Sequence, residues 1–453
     1  MNWFLESRFG LSFHWGLYSI SGRGEWVRSA EQLSEAQYEH YFQTFSPAHG
    51  WAERWAELAL SAGAHYCILT ARHHDGFCLW DSKLTNFTST RAPACGRDLI
   101  HEYTSAMRQA GLRVGLYYSL VDWHHPDCPA YGDRQHPLRH KPESRERDLK
   151  CNWAEYVTCF HGQIKELLTR YGKIDLLVLD FSYWHYSGAT WRAVELLEMV
   201  RRLQPGIIVN DRLGNGALKE CPPPGYAGDY DQTEQNIPRA PVTNAQGIGI
   251  PWEAWFTLNN SWGYCPNDLQ YKTARDVVHS LVNTVSKNGN LLVNVSPDAR
   301  GNIPGQATAI LAETGRWLRT QAESIRGCGA AGLDKPEWGR WTRRGNVLYA
   351  HLLNPVIGHI NLPGLRARVK NARVLATGCE ATICDYWNPG VQTFDQPEDI
   401  FLALGKPTSW THPMPDSIDT VVRMELTDES EYEELIRQYQ KDFAQAISRV
   451  PLP

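Results

Sequence analysis

Apolar residues follow helix-like and strand-like patterns in alternation from residue 9 to about residue 320. Between Trp51 and Ala62 they recur at helical spacing, Gly63 follows, and the apolar run 65–70 then predicts a strand. The same order recurs along this part of the chain. The predicted strands cover 9–14, 65–70, 113–119, 174–180 and 207–210, and the predicted helices cover 51–62, 99–110, 153–171 and 191–203.

Alternating strands and helices are typical of a parallel sheet, because each helix carries the chain back to begin the next strand. The predicted strands are apolar throughout, as expected of strands that are covered on both faces. No G-x-G-x-x-G motif follows the first strand, and polar residues stand at the ends of many strands. The pattern therefore favours an α/β fold with a closed, (β/α)8-like barrel of the TIM type.

The pattern changes after about residue 330. Short alternating strands are predicted at 346–352, 372–375 and 419–425, separated by turns rich in proline and glycine. They indicate a C-terminal β-sandwich. One apolar stripe over 428–448 predicts a terminal helix. We therefore expect a catalytic barrel over 1–330 and a β-sandwich with a helical tail over 331–453.

Composition narrows the class of protein. The 453 residues are 42% apolar and 21% charged with a net charge of −5, so we expect no nucleic-acid partner. No apolar stretch approaches the roughly 18 residues of a membrane span, and Met1–Arg8 lacks the features of a signal peptide. The 11 cysteines include no C-x-x-C pair, which favours reduced thiols and a cytoplasmic location.

Candidate chemistry gathers at the ends of the predicted strands. His14 ends the first strand, His73 and His74 follow the second, and Asp180 ends the fourth. In a closed parallel barrel all strand ends of one polarity face one bowl, so we expect these groups to meet there. Further polar residues at strand ends or in the loops beyond them are Glu25, Tyr118, Asn210, Asp211, Arg212, Asp229, Asp231, Glu234 and Glu253.

Three imidazoles at strand ends also suggest a zinc site, as in many barrel hydrolases. However, neighbouring residues of a strand point to opposite faces, so His73 and His74 could share one ion only if the strand bends there. No H-x-H motif occurs at these strand ends. We expect no metal, and a metal-dependent barrel hydrolase remains the less favoured alternative.

Beyond single residues, the chain contains the motifs FHWGLYS (13–19), GEW (24–26), HHDGFCLW (73–80), GRDL (96–99), GLYYS (115–119), YGKID (171–175), VNDR (209–212), WE (252–253), SWGY (261–264) and NGNLLVN (288–294). Taken together, these motifs resemble those of glycoside hydrolase family 29, the α-L-fucosidases. They occur in order from residue 9 to about 320, which is more specific than any one of them. The C-terminal part fits the family's β-sandwich by position and pattern only.

The resemblance implies an exo-acting, retaining hydrolase of terminal α-L-fucose that works by double displacement without metal or cofactor. It implies that Asp180 is the nucleophile and that Glu234 is the acid/base. The family commonly places the latter in Thr-Pro-Glu, whereas this chain has Gln232-Thr233-Glu234. Glu253 is therefore the alternative, with Asp229 and Asp231 behind it. A fucose-binding protein with impaired catalysis is the second possible function.

The resemblance also implies which residues bind the sugar. A loop that closes over it would carry Glu25 and Trp26, and an aromatic ring would pack near the C5 methyl group. One local departure concerns the segment around Asp180, where the family often has tryptophan two residues before and glycine directly after. This chain has Val178 and Phe181. We expect a fucosylated substrate, a homo-oligomer, and sugar contacts from His14, Glu25, Trp26, His73, His74, Tyr118, Arg212 and Trp262.

Overall fold

The computed structural model describes residues 1–427 except 131–132, 184–185, 366–367, 385–398, 408–411 and 413, together with Lys441. Within this part of the chain, helices and strands alternate up to residue 321, and β-strands dominate afterwards. The helices are α1 Asn2–Ser7, α2 Tyr18–Ser21, α3 Val27–Ala30, α4 Glu35–Thr44, α5 Trp51–Ala62, α6 Leu99–Gln109, α7 Pro142–Asp148, α8 Trp153–Arg170, α9 Ala193–Leu203, α10 Ala274–Val285 and α11 Gly305–Gln321. Short 3₁₀ helices cover Gly188–Trp191, Ala217–Lys219 and Ala322–Ser324.

Eight parallel strands form the sheet that carries the site, in the order β5-β4-β3-β2-β1-β8-β7-β6. A parallel bridge between Asn210 and Tyr230 joins the two edge strands, so the sheet closes into a barrel. The strands are β1 Phe9–Phe13, β2 Tyr66–Arg72, β3 Arg113–Ser119, β4 Leu176–Asp180, β5 Ile208–Val209, β6 Asp231–Glu234, β7 Trp252–Thr257 and β8 Asn290–Val295.

Side chains fill the barrel on both of its faces. Ile68, Tyr117 and Val178 belong to an inner cluster, whereas the neighbouring residues of the same strands pack outward against the helices. The interior is narrow at Gly115, where a Cβ atom would lie 2.7 Å from the Ile68 side chain. Successive strand residues alternate between the two faces, and this alternation decides which polar groups can reach the bowl.

The helices pack closely around the barrel. At the contact of α5 with α11, a Cβ atom on Gly315 would lie 1.8 Å from the Ser61 carbonyl oxygen, so only glycine allows this approach. Gly63 ends α5 with φ +79°, a backbone conformation that glycine adopts without steric penalty. Gly315 therefore allows α5 and α11 to pack closely, and Gly63 ends α5.

Beyond the barrel, two antiparallel sheets have the orders β12-β15-β10-β9 and β11-β14-β13. They enclose an apolar cluster that includes Trp341, Leu348 and Met424. The Trp317 indole of α11 donates a hydrogen bond to the Asp419 carbonyl at 3.2 Å, which ties these sheets to the helix layer. The strands are β9 Gly339–Arg344, β10 Val347–Leu352, β11 Ile360–Leu362, β12 Val369–Val374, β13 Thr382–Cys384, β14 Ile400–Ala403 and β15 Thr420–Leu426.

The predicted (β/α)8-like barrel with a C-terminal β-sandwich is confirmed. The helix predicted over 191–203 begins at Ala193, because Trp191 belongs to a 3₁₀ turn. The helix predicted over 428–448 lies, apart from Lys441, outside the described residues. Among the described helices, none is both long enough and apolar enough to cross a membrane.

Candidate active site

A pocket of about 190 Å³ opens at the carboxyl ends of the barrel strands. This is the end at which the loops of (β/α)8 barrels place reactive groups. Seven of the eight predicted substrate-binding residues line it, as do Asp180 and Glu234. The lining residues are His14, Glu25, Trp26, His73, His74, Tyr117, Asp180, Phe181, Arg212, Gln232, Glu234, Trp255 and Trp262.

Asp180 is the last residue of β4, and its side chain shares the inner face with Val178. The Tyr117 hydroxyl donates to one of its carboxylate oxygens at 2.6 Å, and Arg212 donates to the other at 2.6 Å. Burial acts to raise the pKa of Asp180, but the charge of Arg212, together with His74 and Tyr117, holds that pKa below its usual 3.8. Asp180 is therefore an ionised carboxylate at neutral pH.

Arg212 joins the two carboxylates of the pocket. One terminal nitrogen of its guanidinium binds Asp180, and the other donates to Glu234 at 2.9 Å. Glu234 ends β6, and 43% of its side chain is exposed, so it stands at the open side. The Asp180 side chain is 15% exposed and the Glu234 side chain is 43% exposed, and both carboxyl groups contact the same guanidinium.

Two histidines of the pocket have an assignable tautomer. The Asn294 amide donates to the Trp262 carbonyl at 2.7 Å, so its oxygen must accept from Nδ1–H of His14 at 2.7 Å. Similarly, the Ser119 hydroxyl donates to Val121, so its oxygen accepts from Nδ1–H of His74 at 2.7 Å. Each imidazole therefore keeps Nε2 as a hydrogen-bond acceptor.

These two imidazoles are also neutral. Burial lowers the pKa of His14 to about 4 and that of His74 to about 4. Neutral rings with a free acceptor nitrogen suit the hydroxyl groups of an uncharged ligand. Nδ1 of the neighbouring His73 is buried and has no hydrogen-bond partner among the described residues.

His73 and His74 directly follow Arg72, the last residue of β2, so strand alternation no longer applies to them and both line the pocket. The pairing of β2 with β3 also shifts register between Thr70 and Arg72. Arg72 consequently points away from the pocket and pairs with buried Asp122 at 2.9 Å. Strict strand alternation would place the two histidines on opposite faces, but the strand ends before both of them. Within the described part of the chain, no three His, Cys, Asp or Glu side chains are arranged to hold a metal ion.

The loop residues Glu25 and Trp26 close one side of the pocket. The Glu25 carboxylate is buried and accepts a hydrogen bond from the Gly263 amide at 2.7 Å, and burial raises its pKa. The Trp26 ring lies 5.0 Å from the His74 ring, measured between centroids. Trp262 lies opposite, 5.1 Å from His14. Aromatic rings thus flank the polar groups on two sides.

Tyr118 lies outside the pocket, so the prediction that it contacts the substrate is wrong. Its hydroxyl donates to Gln163 of α8 at 2.7 Å, and Arg72 lies 4.2 Å from its ring centroid. The neighbouring Tyr117 takes the expected place, with its ring stacked on His73. A strand that is apolar on both faces carries no signal of which residue points inward, so the sequence could not choose between them.

Glu253 also lies outside the pocket. It is fully buried near the start of β7, bonded to the Tyr66 hydroxyl and to the Trp255 indole nitrogen at 2.6 Å. Burial raises its pKa to about 7. It reaches the pocket only through Trp255, whose ring belongs to the lining. Of the two glutamates that the sequence left open, only Glu234 can contact a bound ligand.

Sequence reasoning missed four lining residues: Tyr117, Phe181, Gln232 and Trp255. Phe181 was noted only as a departure from a pattern. Its φ of +89° lies in the left-handed region, which costs a non-glycine residue about 1–3 kcal/mol. Trp255 belongs to the inner cluster of the barrel, and only the pairing of β7 with its neighbours shows that its ring reaches the pocket.

A family model described as alpha-L-fucosidase matches residues 1–323. Among curated relatives, the tissue alpha-L-fucosidase of Rattus norvegicus is 29% identical over 346 residues, which cover 71% of this chain and 69% of that protein.

Solved structures share the whole architecture. Alpha-L-fucosidase isoenzyme 1 from Paenibacillus thiaminolyticus is 49% identical, with a TM-score of 0.89 over 94% of this chain and 98% of that one. A GH29 alpha-L-fucosidase from Bacteroides thetaiotaomicron, trapped as a covalent intermediate with 2-fluoro-fucosyl fluoride, is 24% identical, with a TM-score of 0.76 over 94% of this chain and 95% of that one.

Proposed function

The chain belongs to the α-L-fucosidase family, glycoside hydrolase family 29, and is a retaining fucosidase; on this premise we propose that Asp180 is its nucleophile and Glu234 its acid/base. The observation that carries this assignment is the Arg212 guanidinium, which binds both carboxylates at 2.6 and 2.9 Å. The covalent intermediate trapped in the Bacteroides relative supports a glycosyl-enzyme step. A retaining pair must flank one glycosidic bond, and both residues line the same pocket.

In the first step, the Asp180 carboxylate attacks C1 of the fucosyl group while protonated Glu234 gives its proton to the glycosidic oxygen. The bond from C1 to that oxygen breaks, the leaving group departs as an alcohol, and a β-L-fucosyl ester forms on Asp180. The negative charge thereby moves from Asp180 to Glu234. Arg212 contacts both groups, so it stays paired with a carboxylate throughout.

In the second step, the Glu234 carboxylate takes a proton from water, and the water oxygen attacks C1 from the side that the leaving group vacated. The ester bond to Asp180 breaks, and Glu234 is again protonated. Two inversions give α-L-fucose, so the configuration at C1 is retained. The solvent exposure of Glu234 supports this role, because the same carboxyl must meet both the leaving group and a water molecule.

Several other lining residues bind the sugar. His14 and His74 present acceptor nitrogens to hydroxyl groups, and the buried Glu25 carboxyl supplies another oxygen. Trp262 offers an apolar surface on which the C5 methyl group can pack. A 6-deoxy sugar combines several hydroxyls with one methyl group, which matches this mixture of polar and aromatic groups.

The proposal is tested by following hydrolysis of an aryl α-L-fucoside by proton NMR. We expect the α-anomer of fucose to appear first and the β-anomer to follow only by mutarotation. A β-anomer that appears first would indicate an inverting reaction and would contradict the nucleophilic role. No hydrolysis of any α-L-fucoside would contradict the function as a whole.

Tyr117 and Tyr118 form a matched pair for testing the corrected tyrosine. Tyr117→Phe removes a hydrogen bond to an ionised carboxylate, which is worth about 1.5–3 kcal/mol, so kcat/KM should fall about 10- to 100-fold. Tyr118→Phe removes only the bond to Gln163 and should change kcat/KM less than about threefold. A larger loss in Tyr118→Phe than in Tyr117→Phe would reverse the assignment.

Arg212 sets the acid limb of the pH profile. The ionised form of Asp180 is active, so kcat/KM falls as the pH drops through its pKa. In the wild type this limb lies near or below pH 4, where His14 and His74 also gain protons. Arg212→Met removes the nearby positive charge, leaves burial to raise the pKa of Asp180, and should move the limb up by about one to three pH units.

Arg212→Lys is the control, because it keeps a positive charge and should move the acid limb less. Each variant is returned to pH 7 after the acid measurement, so that irreversible unfolding is separated from titration. An acid limb that stays at the wild-type pH in Arg212→Met would show that Arg212 does not control the nucleophile.

We also propose a cytoplasmic, homo-oligomeric protein with a barrel domain over 1–330 and a second domain over 331–453. All eleven cysteines are free thiols, which suits a reducing compartment.

Separate apolar clusters in the barrel and in the C-terminal sheets support the division into domains. Exposed Leu149 and Ile357 offer apolar surface for assembly, which sedimentation of the full chain tests.

A further inference from the structure

The backbone has a positive φ at Phe181, directly after the proposed nucleophile. Phe181 has φ +89°, a conformation that glycine adopts freely and a β-substituted residue does not. The chain is held on both sides of this turn. The Leu120 amide donates to the Asp180 carbonyl at 2.8 Å, and the Ser182 hydroxyl donates to the Leu213 carbonyl at 3.3 Å. The fold therefore holds a phenylalanine where its backbone is unfavourable, which points to a use for the ring.

The ring of Phe181 stands between the pocket and the surface beside it. It lines the same pocket as Asp180 and lies 4.4 Å from His74, between ring centroids. The Phe181 ring also lies 4.9 Å from the Tyr183 ring, and the Tyr183 ring lies 5.5 Å from the Tyr186 ring, measured between centroids. Neither tyrosine lines the pocket, and all three residues are partly buried. An aromatic strip, defined as Phe181, Tyr183 and Tyr186, thus leads out of the pocket.

An exo-acting hydrolase holds one terminal sugar in such a pocket, so the leaving group must extend beyond its lining. The polar groups that suit fucose hydroxyls lie on the histidines and Glu25, whereas the ring of Phe181, which lines the pocket, offers apolar faces. Such faces pack well against the C–H face of a hexose or against an aryl ring. The chemistry of the strip therefore fits the leaving group better than it fits another hydroxyl-rich contact.

We propose that Phe181 is a specificity-determining residue, and that its ring binds the hexose or aryl group attached to the fucosyl oxygen. The inference rests on the proposed function, since the leaving group is defined by cleavage of a fucoside. Phe181 would then select among different fucosides. The residues described above bind the fucosyl group or cleave its bond.

The test compares leaving groups with and without a ring. We measure kcat/KM for an aryl α-L-fucoside, a fucosylated disaccharide and α-L-fucosyl fluoride, whose leaving group has no ring. The readout is the ratio of kcat/KM for each ring-bearing substrate to that for the fluoride. In Phe181→Leu and Phe181→Gly we expect both ratios to fall about 3- to 10-fold, mainly through KM, because an aromatic contact of this size is lost.

Two variants separate the ring from the backbone. Phe181→Leu keeps a side chain at φ +89°, whereas Phe181→Gly relaxes the turn, and both lack the aromatic face. The matched control is Phe160→Leu, a buried phenylalanine of α8 outside the pocket, which should keep the wild-type ratios.

Unchanged ratios in Phe181→Leu would overturn the proposal. An equal loss on all three substrates would also overturn it, because the ring would then bind the fucosyl group itself. A wild-type protein that hydrolyses none of the three substrates would instead contradict the proposed function, so the two failures are distinguishable.

Discussion

Asp180→Ala should lower kcat/KM for an aryl α-L-fucoside by about 10⁴-fold or more, as the loss of a catalytic nucleophile does in other covalent mechanisms. The variant removes the buried carboxylate that Tyr117 and Arg212 hold in place, so the covalent step has no acceptor atom. The control is Asp175→Asn, directly before the other end of β4, where the carboxylate pairs with Arg113 on the far side of the barrel. This control should keep kcat/KM within about threefold of the wild type, since Asp175 lies outside the pocket and the amide oxygen of asparagine can still accept from the Val114 amide.

Azide gives Asp180→Ala a stereochemical signature. The substitution leaves space beside C1, and an azide ion there attacks in a single displacement. The product should therefore be β-L-fucosyl azide, with the configuration at C1 inverted. Activity near the wild-type level, or an azide product of α configuration, would show that Asp180 does not form the covalent bond.

Glu234→Ala should have the second largest effect, and its size should depend on the leaving group. Loss of a general acid costs about 10²- to 10⁴-fold for a fucosylated disaccharide, whose leaving alcohol needs a proton. The loss should be much smaller for α-L-fucosyl fluoride, because fluoride departs with less need for a proton. For substrates with a good leaving group, hydrolysis of the fucosyl-enzyme becomes rate-limiting, since no carboxylate remains to activate water.

Azide should therefore accelerate Glu234→Ala, because this anion attacks the fucosyl-enzyme without a general base. Asp180 is intact in this variant, so two inversions should give α-L-fucosyl azide. The opposite configurations expected from the Asp180 and Glu234 variants assign each carboxylate its role independently of rate.

Glu253→Gln and Glu25→Gln complete this comparison. Glu253 is buried beneath Trp255, so its variant should lose stability or substrate affinity but gain no rate from azide. Glu25 lines the pocket and is proposed to bind a hydroxyl group, so its variant should raise KM and also show no rescue. Azide rescue in either variant, and none in Glu234→Ala, would move the acid/base role to that residue.

The barrel and the C-terminal sheets could be predicted because their signals are local. Trp51–Ala62 is a helix with the predicted bounds, since its apolar spacing and Gly63 act within a few turns. The end of β4 at Asp180 was predicted as well, because a charged residue stops a long apolar run. Local patterns of this kind do not depend on how distant strands pair.

The inner face of β3 could not be predicted, because both of its faces are apolar and both are covered. The choice between Tyr117 and Tyr118 depends on register with β4, where Tyr117 pairs with Val178. The same limit applies to His73 and His74, since only the folded barrel shows that β2 ends at Arg72 and that both imidazoles line the pocket. Pairing between strands is a property of the folded barrel and cannot be predicted from the spacing of residues along the chain.

Glu234 and Glu253 could not be ranked with certainty from spacing, because each lies on a late strand of the barrel. In the structure their places along the strands differ. Glu234 ends β6 at the open side, while Glu253 is the second residue of β7 and lies among Tyr66 and Trp255 in the barrel interior. Strand bounds accurate to one or two residues decide this difference, and sequence patterns do not give bounds of that accuracy.

The most direct test of a covalent fucosyl-enzyme on Asp180 is to trap it. The wild-type protein is incubated with 2-fluoro-fucosyl fluoride, digested at acid pH to preserve the ester, and mapped by tandem mass spectrometry. We expect one fluorofucosyl group per chain, attached to the peptide segment 176–183 at Asp180, and no label in Asp180→Ala. A label on another residue, or an active protein that turns over the reagent without ever accumulating a labelled chain, would contradict the account.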